Sequence, residues 1–146
     1  MEKPGFIVKF YDKAYEDKSI VELAKAPVAA ISGVSESDAA DLKKAFGIDT
    51  VADLATNKYV LLAQGINCFS GCSGQILDKA FESAEYENLA KKPASAISGI
   101  SGEDAALLKK AFGIDTIKEL AENKYVAIAQ TTVAMASLLQ FLRAVL

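Results

Sequence analysis

The chain has no histidine among its 146 residues and only two cysteines. Without histidine it lacks the commonest general base and the commonest zinc ligand at neutral pH. Two thiols are too few for a disulfide framework, and with no histidine beside them too few for a tetrahedral zinc site. Basic residues are in slight deficit: 16 Lys+Arg against 19 Asp+Glu give a net charge of -3. Proteins that hold nucleic acid by its phosphates usually carry the opposite excess. The opening residues Met1-Glu2-Lys3-Pro4-Gly5 lack the basic start and apolar run of a secretory signal, so a cytoplasmic location is expected. Strand signals are scarce. No nucleophile–base pair, glycine-rich phosphate loop or metal-ligand cluster can be assembled, and the paired carboxylates fall at helix caps or on polar helix faces. Neither an enzyme nor a cofactor is expected.

What is present is a duplication. The stretch 27–64 recurs at 93–130 with a constant offset of 66 residues, and 26 of the 38 positions are identical. Apolar residues form 51% of the chain, ample for a core, while one copy alone would be marginal in core size. The two copies are therefore expected to pack as pseudo-equivalent halves.

Within each copy the signals are helical. Ser35-x-x-Asp38 and Ser101-x-x-Asp104 are capping boxes, in which the serine accepts a backbone N–H and the carboxylate reaches back. Each opens a helix whose apolar residues recur at helical spacing: Ala39, Ala40, Leu42, Ala45 and Phe46, then Ala105, Ala106, Leu108, Ala111 and Phe112. Gly47 and Gly113 stand where a left-handed residue ends a helix. Thr50-x-x-Asp53 and Thr116-x-x-Glu119 cap a second, short helix, and Asn57 and Asn123 can end it and start the next. The fold class is all-α, with about ten helices, many of them short. A longer helix from Tyr59 to residue 82 or so, with a kink at Gly71 or Gly74, joins the copies. The predicted core contains Ile31, Leu42, Phe46, Ile48, Leu54 and Val60, with Ile97, Leu108, Phe112, Ile114, Leu120 and Val126 as their mates. Asp12-Lys13-Ala14-Tyr15-Glu16 aligns with Asp78-Lys79-Ala80-Phe81-Glu82 at the same offset, and is predicted to be the tail of a long helix. The segments are thus 1–18, an N-terminal helical piece; 19–75, the first repeat; and 76–146, the second repeat with an apolar C-terminal helix.

The run Ile31-Ser32-Gly33-Val34-Ser35, followed by Ala39, Leu42 and Phe46-Gly47-Ile48-Asp49-Thr50-Val51-x-Asp53-Leu54-Ala55, resembles a helix-hairpin-helix motif. Ile97-Ser98-Gly99-Ile100-Ser101 through Leu120-Ala121 resembles it again. Similar units occur in small domains of family X DNA polymerases, in recombinase N-terminal domains and in Holliday-junction proteins. The resemblance covers about half of the chain and implies two tandem helix-hairpin-helix repeats. In DNA-binding members, it implies, the hairpin residues Gly33, Val34, Ser35, Gly99, Ile100 and Ser101 would hold a phosphate on backbone N–H groups at a helix start. Here the second hairpin glycine of those members is Ser35 or Ser101. Glu36, Asp38 and Asp41 follow the first hairpin and Glu103 and Asp104 the second, where they would repel a phosphate. Lys43-Lys44 and Lys109-Lys110 sit where lysine complements a helix C-terminus.

Cys68 and Cys72 lie four residues apart in a stretch of small residues; on a helix they share a face, at which a disulfide would be strained. A thiol redox pair is one reading, and close helix approach through small side chains is the favoured one. Residues 125–146 contain one charge, Arg143, and suffice in length for a membrane span. Gln130, Thr131, Thr132, Ser137 and Gln140 interrupt that run, and a buried or interface helix is the better expectation. Its apolar residues fall almost all round, which points to association through Leu138, Leu139, Leu142 and Leu146. Tyr59 and Tyr125 are expected to be core aromatics with an exposed hydroxyl. Taken together, the sequence predicts a non-catalytic scaffold or adaptor that binds protein, itself included, through apolar helix surfaces. The alternatives are nucleic-acid backbone binding through the hairpins and thiol redox chemistry.

Overall fold

The local signals become helices where expected. A computed structural model of the chain describes residues 5–76 and 88–145, the side chains of residues 70–76 excepted. The chain is mostly helical, with no strand among the described residues. Helix α1 is Ile20–Lys25, α2 Glu36–Phe46, α3 Val51–Thr56, α4 Lys58–Ile76, α5 Gly102–Phe112, α6 Ile117–Ala121 and α7 Lys124–Val145. Short 3-10 turns at Val28–Ala30 and Ala94–Ala96 precede α2 and α5. All four predicted capping boxes are formed, at Ser35/Asp38, Thr50/Asp53, Ser101/Asp104 and Thr116/Glu119. The side-chain oxygens of Asn57 and Asn123 accept the N–H groups of Tyr59 and Val60, and of Tyr125 and Val126, in the first turns of α4 and α7. A fifth box, Ser19/Glu22, opens α1. The long connecting helix ends its described course at Ile76, and residues 77–87 lie outside the description.

The copies do not stand side by side as closed units. Helix α2 packs on α5, its own counterpart, whereas α3 packs on α7 and α4 on α6. Each long helix thus covers the short helix of the other copy. Interchanging the copies leaves this set of relations unchanged, as a twofold arrangement requires. One core takes Ile31, Leu42, Ile48, Leu54 and Val60 from the first copy and Ile97, Leu108, Ile114, Leu120 and Val126 from the second. Phe46 and Phe112, also predicted in the core, lie at its margin, where their rings meet Tyr59 and Tyr125 at 4.9 and 4.8 Å.

At the point where the two long helices meet, Gln64 faces its own counterpart. Gln64 Nε2 donates to Gln130 Oε1 and Gln130 Nε2 to Gln64 Oε1, both at 2.8 Å. The same nitrogens also donate to Ala121 O at 3.3 Å and Ala55 O at 3.1 Å, the last turns of α6 and α3. Each amide therefore spends both hydrogens, and turning either one round would bring oxygen against carbonyl oxygen.

The N-terminal piece departs from the expected helix tail. Residues Gly5–Phe10 and Lys13–Tyr15 form 3-10 turns, and between them Tyr11 pairs in antiparallel fashion with Ile31. Asp12 N–H donates to Ala30 O and Ser32 N–H to Phe10 O, each at 2.8 Å. The Tyr11 hydroxyl lies 2.7 Å from Thr132 Oγ1, a fully buried group on α7. Burying this tyrosine with a paired hydroxyl favours the extended backbone over the helix that local pattern suggests.

Two outcomes are expected. Replacing one glutamine of the pair, Gln64→Leu or Gln130→Leu, leaves the other amide and a carbonyl without partners and should cost about 1–3 kcal/mol in denaturant unfolding. The double variant should cost less than the sum; strict additivity would show that the pair is not coupled. Second, burial pushes the Tyr11 hydroxyl above its ordinary pKa, with the Thr132 hydrogen bond offsetting part of the rise. The fold favours protonated Tyr11, so this contribution is complete below about pH 10 and is lost as pH rises through the higher folded value. An ultraviolet phenolate titration should show one late tyrosine that disappears in Tyr11→Phe.

Candidate functional site

The two glycine turns 33–35 and 99–101, called hairpins below after the sequence resemblance, and the two long helices carry the residues singled out by sequence. Gly33 and Gly99 turn the chain at φ +98° and +99°, a region open to glycine and strained for other residues. Val34 and Ile100, between glycine and serine, point inward and are buried. Ser35 Oγ accepts from Asp38 N–H at 3.0 Å while Asp38 takes Ser35 N–H at 3.2 Å, and Ser101 with Asp104 repeats this. At each helix start the carboxylate thus takes the serine N–H and the serine hydroxyl takes the third helical N–H, so two donors that could greet an anion are spent within the chain and a negative charge already stands there.

Each hairpin is also covered from the opposite copy. Tyr125 OH donates to Gly33 O at 3.3 Å and Tyr59 OH to Gly99 O at 3.4 Å. A Cβ built on Gly33 would stand 2.7 Å from the Tyr125 hydroxyl oxygen, and one on Gly99 2.5 Å from that of Tyr59. The tyrosine hydroxyls, expected to be exposed, make these bonds at the surface while their rings pack against the core. The ammonium groups of Lys58 and Lys124 lie 5.0 Å over the same two rings. Lys43 and Lys109 pair with Asp49 and Asp115 just beyond their helices, and Asp115 holds the Lys109 ammonium above its ordinary range. Lys110 reaches across to Asp41 at 3.7 Å, an ion pair without a hydrogen bond to the buried Oδ2.

On α7 the inner line runs through Val126, Ala129, Thr132 and Ala136, all buried. The outer line is Leu138, Phe141, Leu142 and Val145, exposed by 63, 62, 48 and 59%. These four are spaced i, i+3, i+4 and i+7, a single helical stripe. Leu138 and Leu142 were predicted to be surface residues; Phe141 and Val145 follow from the same spacing. Leu139 differs: it is half-buried against the core and belongs to the inner line. Leu146 lies outside the described residues. Cys68 is exposed on α4; Cys72 is on the same helix, with its side chain outside the description. Among the described residues no group of three acidic or sulfur side chains could hold a metal ion.

One stretch, Ile117–Val145, is long and apolar enough to cross a membrane by length and composition. It is not one helix: α6 ends at Ala121, and Asn123 caps a new start at Lys124. Comparison with protein-family models, curated proteins and solved structures returns no match, so the functional reading rests on these surfaces alone.

The tyrosine cover has a measurable cost when disturbed. Gly33→Ala meets both the positive φ and the Tyr125 hydroxyl, whereas Gly47→Ala meets a positive φ with nothing within 4 Å. Gly47→Ala should destabilise by about 1–2 kcal/mol, and Gly33→Ala by clearly more. Equal losses in thermal or denaturant unfolding would show that Tyr125 does not press on the hairpin.

Proposed function

We propose that the chain is a pair of helix-hairpin-helix repeats fused into a non-catalytic cytoplasmic scaffold that binds protein, a second copy of itself included. The observation that carries this is the exposed stripe Leu138, Phe141, Leu142 and Val145. Fully burying one such side chain is worth about 2 kcal/mol, so four on one stripe favour a covered state. The stripe flanks no strong charge of one sign, since Arg143 is the one side chain charged at neutral pH after Lys124. Two such stripes can meet without repulsion.

A bilayer suits the stripe less well. The exposed end of α7 from Leu138 to Val145 rises about 12 Å at 1.5 Å per residue, against a hydrocarbon core of about 30 Å. Its first half is committed to the core through Val126, Ala129 and Thr132. Backbone recognition of nucleic acid has less support, because carboxylates already cap the helix starts and the tyrosines overlie the glycines.

Sedimentation in detergent-free buffer tests the reading. The chain should associate with rising concentration, and Leu138→Gln with Leu142→Gln should shift it toward monomer while leaving its unfolding midpoint nearly unchanged, since both side chains are exposed. A strictly monomeric chain at high concentration would overturn self-association. Tight binding to random-sequence duplex that falls steeply with salt would favour the nucleic-acid reading instead.

A further inference from the structure

The surface that joins the two copies is complementary to itself. Among the described residues the more extensive helix packing runs between the copies, α2 on α5, α3 on α7 and α4 on α6. The polar contacts across the junction are reciprocal too. Gln64 pairs with Gln130, and Tyr59 and Tyr125 each reach the glycine of the other copy. Interchanging the copies maps this set of contacts onto itself. A surface of that kind is isologous, the kind that builds twofold dimers. None of these contacts needs both copies to come from one chain.

One contact tells the copies apart. The Thr132 hydroxyl donates to Ile128 O at 2.8 Å, so in its 2.7 Å contact with Tyr11 it accepts and the tyrosine donates. Tyr11 is paired with the first copy at Ile31, whereas Thr132 lies on α7 of the second. At the 66-residue offset Thr132 corresponds to Ile66, half-buried beside the core, and Tyr11 corresponds to Leu77. Two first copies set against each other would bring the Tyr11 hydroxyl to Ile66, which has no side-chain acceptor. Two second copies would bring Thr132 no tyrosine. The Asp41–Lys110 ion pair lacks this power of discrimination, because the counterpart of Lys110 is Lys44 and Asp41 would meet a lysine either way. A buried hydroxyl without a partner is costly, so a first copy prefers a second.

We infer that two chains associate by exchanging halves, the first copy of each docking on the second copy of the other, with the Tyr11–Thr132 bond selecting that pairing. The partner is a second copy of this chain. This deepens the reading that the chain binds itself and rests on it, but the surface used is the junction between the copies and not the α7 stripe. The exchanged pair rebuilds the junction contacts of the single chain twice over. Closed and exchanged forms therefore differ in tethering and in chain concentration rather than in the contacts at the junction.

The test uses the full chain with Leu138→Gln and Leu142→Gln, which silence the stripe, in two further forms. One carries Gln64→Glu with Gln130→Glu, the other Gln64→Lys with Gln130→Lys. A closed chain of either form sets like charges at the glutamine contact, whereas an exchanged pair of the two forms sets opposite charges at both contacts. Sedimentation of the equimolar mixture should show a dimer, favoured over self-pairing of either form by about a hundredfold or more. With one form isotope-labelled, filtered nuclear Overhauser spectra should connect Tyr11 of each chain with Thr132 of the other. A single chain carrying Gln64→Lys with Gln130→Glu should fold as a monomer, which checks that the ion pair is tolerated. If that chain does not fold, chains with both glutamines intact, labelled and unlabelled, are refolded together at about millimolar concentration, where mixed dimers with the same Tyr11–Thr132 contact are expected. Three results would overturn the inference: a monomeric mixture although the Lys–Glu chain folds; no mixed dimer after joint refolding; or a dimer in which Tyr11 meets Ile66, first copy on first copy. If any of these occurs while the original chain still associates through the stripe, this inference is lost and the scaffold reading kept.

Discussion

Everything in this molecule depends on the exchange of the long helices between the copies. Helices α3 and α6 are six and five residues long, far below the length at which an isolated helix holds in water. Their caps define where they start but supply too little to keep them formed. What keeps them is α7 over α3 and α4 over α6. The Gln64–Gln130 pair locks that exchange, because each amide also ties the end of the short helix it covers. Each half is completed only by the other, so folding and docking of the copies are one process.

The same exchange decides what the hairpins can do. Tyr59 and Tyr125 are the second residues of α4 and α7, so carrying a long helix to the other copy carries its tyrosine onto the other hairpin. Glycine is needed there twice over, for the positive φ and for the close approach of the ring. Fusion into one chain also permits differences between the halves that a true dimer could not have. Asp41 occupies the place of Leu107, and it alone of the two draws a lysine across the α2–α5 contact.

Features written in neighbouring residues were legible in the sequence. The capping boxes, Gly47 and Gly113 at their left-handed positions, and the asparagines before the long helices all stand as read. So do ten of the twelve predicted core residues; Phe46 and Phe112 were drawn outward by their tyrosines. What was not legible is relational. No local pattern says that α7 covers α3 rather than α6, or that a tyrosine hydroxyl lands on a carbonyl 92 positions away. The N-terminal piece misled because it was read from its alignment with residues 78–82 as a helix tail, while Tyr11 pairs with Ile31 and its hydroxyl with Thr132 on a distant helix. One local signal was there to be found: Ser19-x-x-Glu22 is a capping box of the same form as the others.

The stripe on α7 can be weighed against the fold itself, because α4 is its counterpart. If packing of the repeat required large apolar residues at Leu138, Leu139, Phe141 and Leu142, the first copy should carry them too. Its residues at the same offset are Cys72, Ser73, Gln75 and Ile76. Three of the four are small or polar, so the architecture tolerates such residues at the end of a long helix. Leu139 has a use within the chain, since it reaches the core. Leu138, Phe141 and Leu142 do not reach the core among the described residues: they add exposed apolar area, which by itself lowers solubility. Surface of that kind becomes favourable when something covers it. Of the large apolar residues that α7 has and α4 lacks, Leu139 reaches the core while Leu138 and Phe141 face outward.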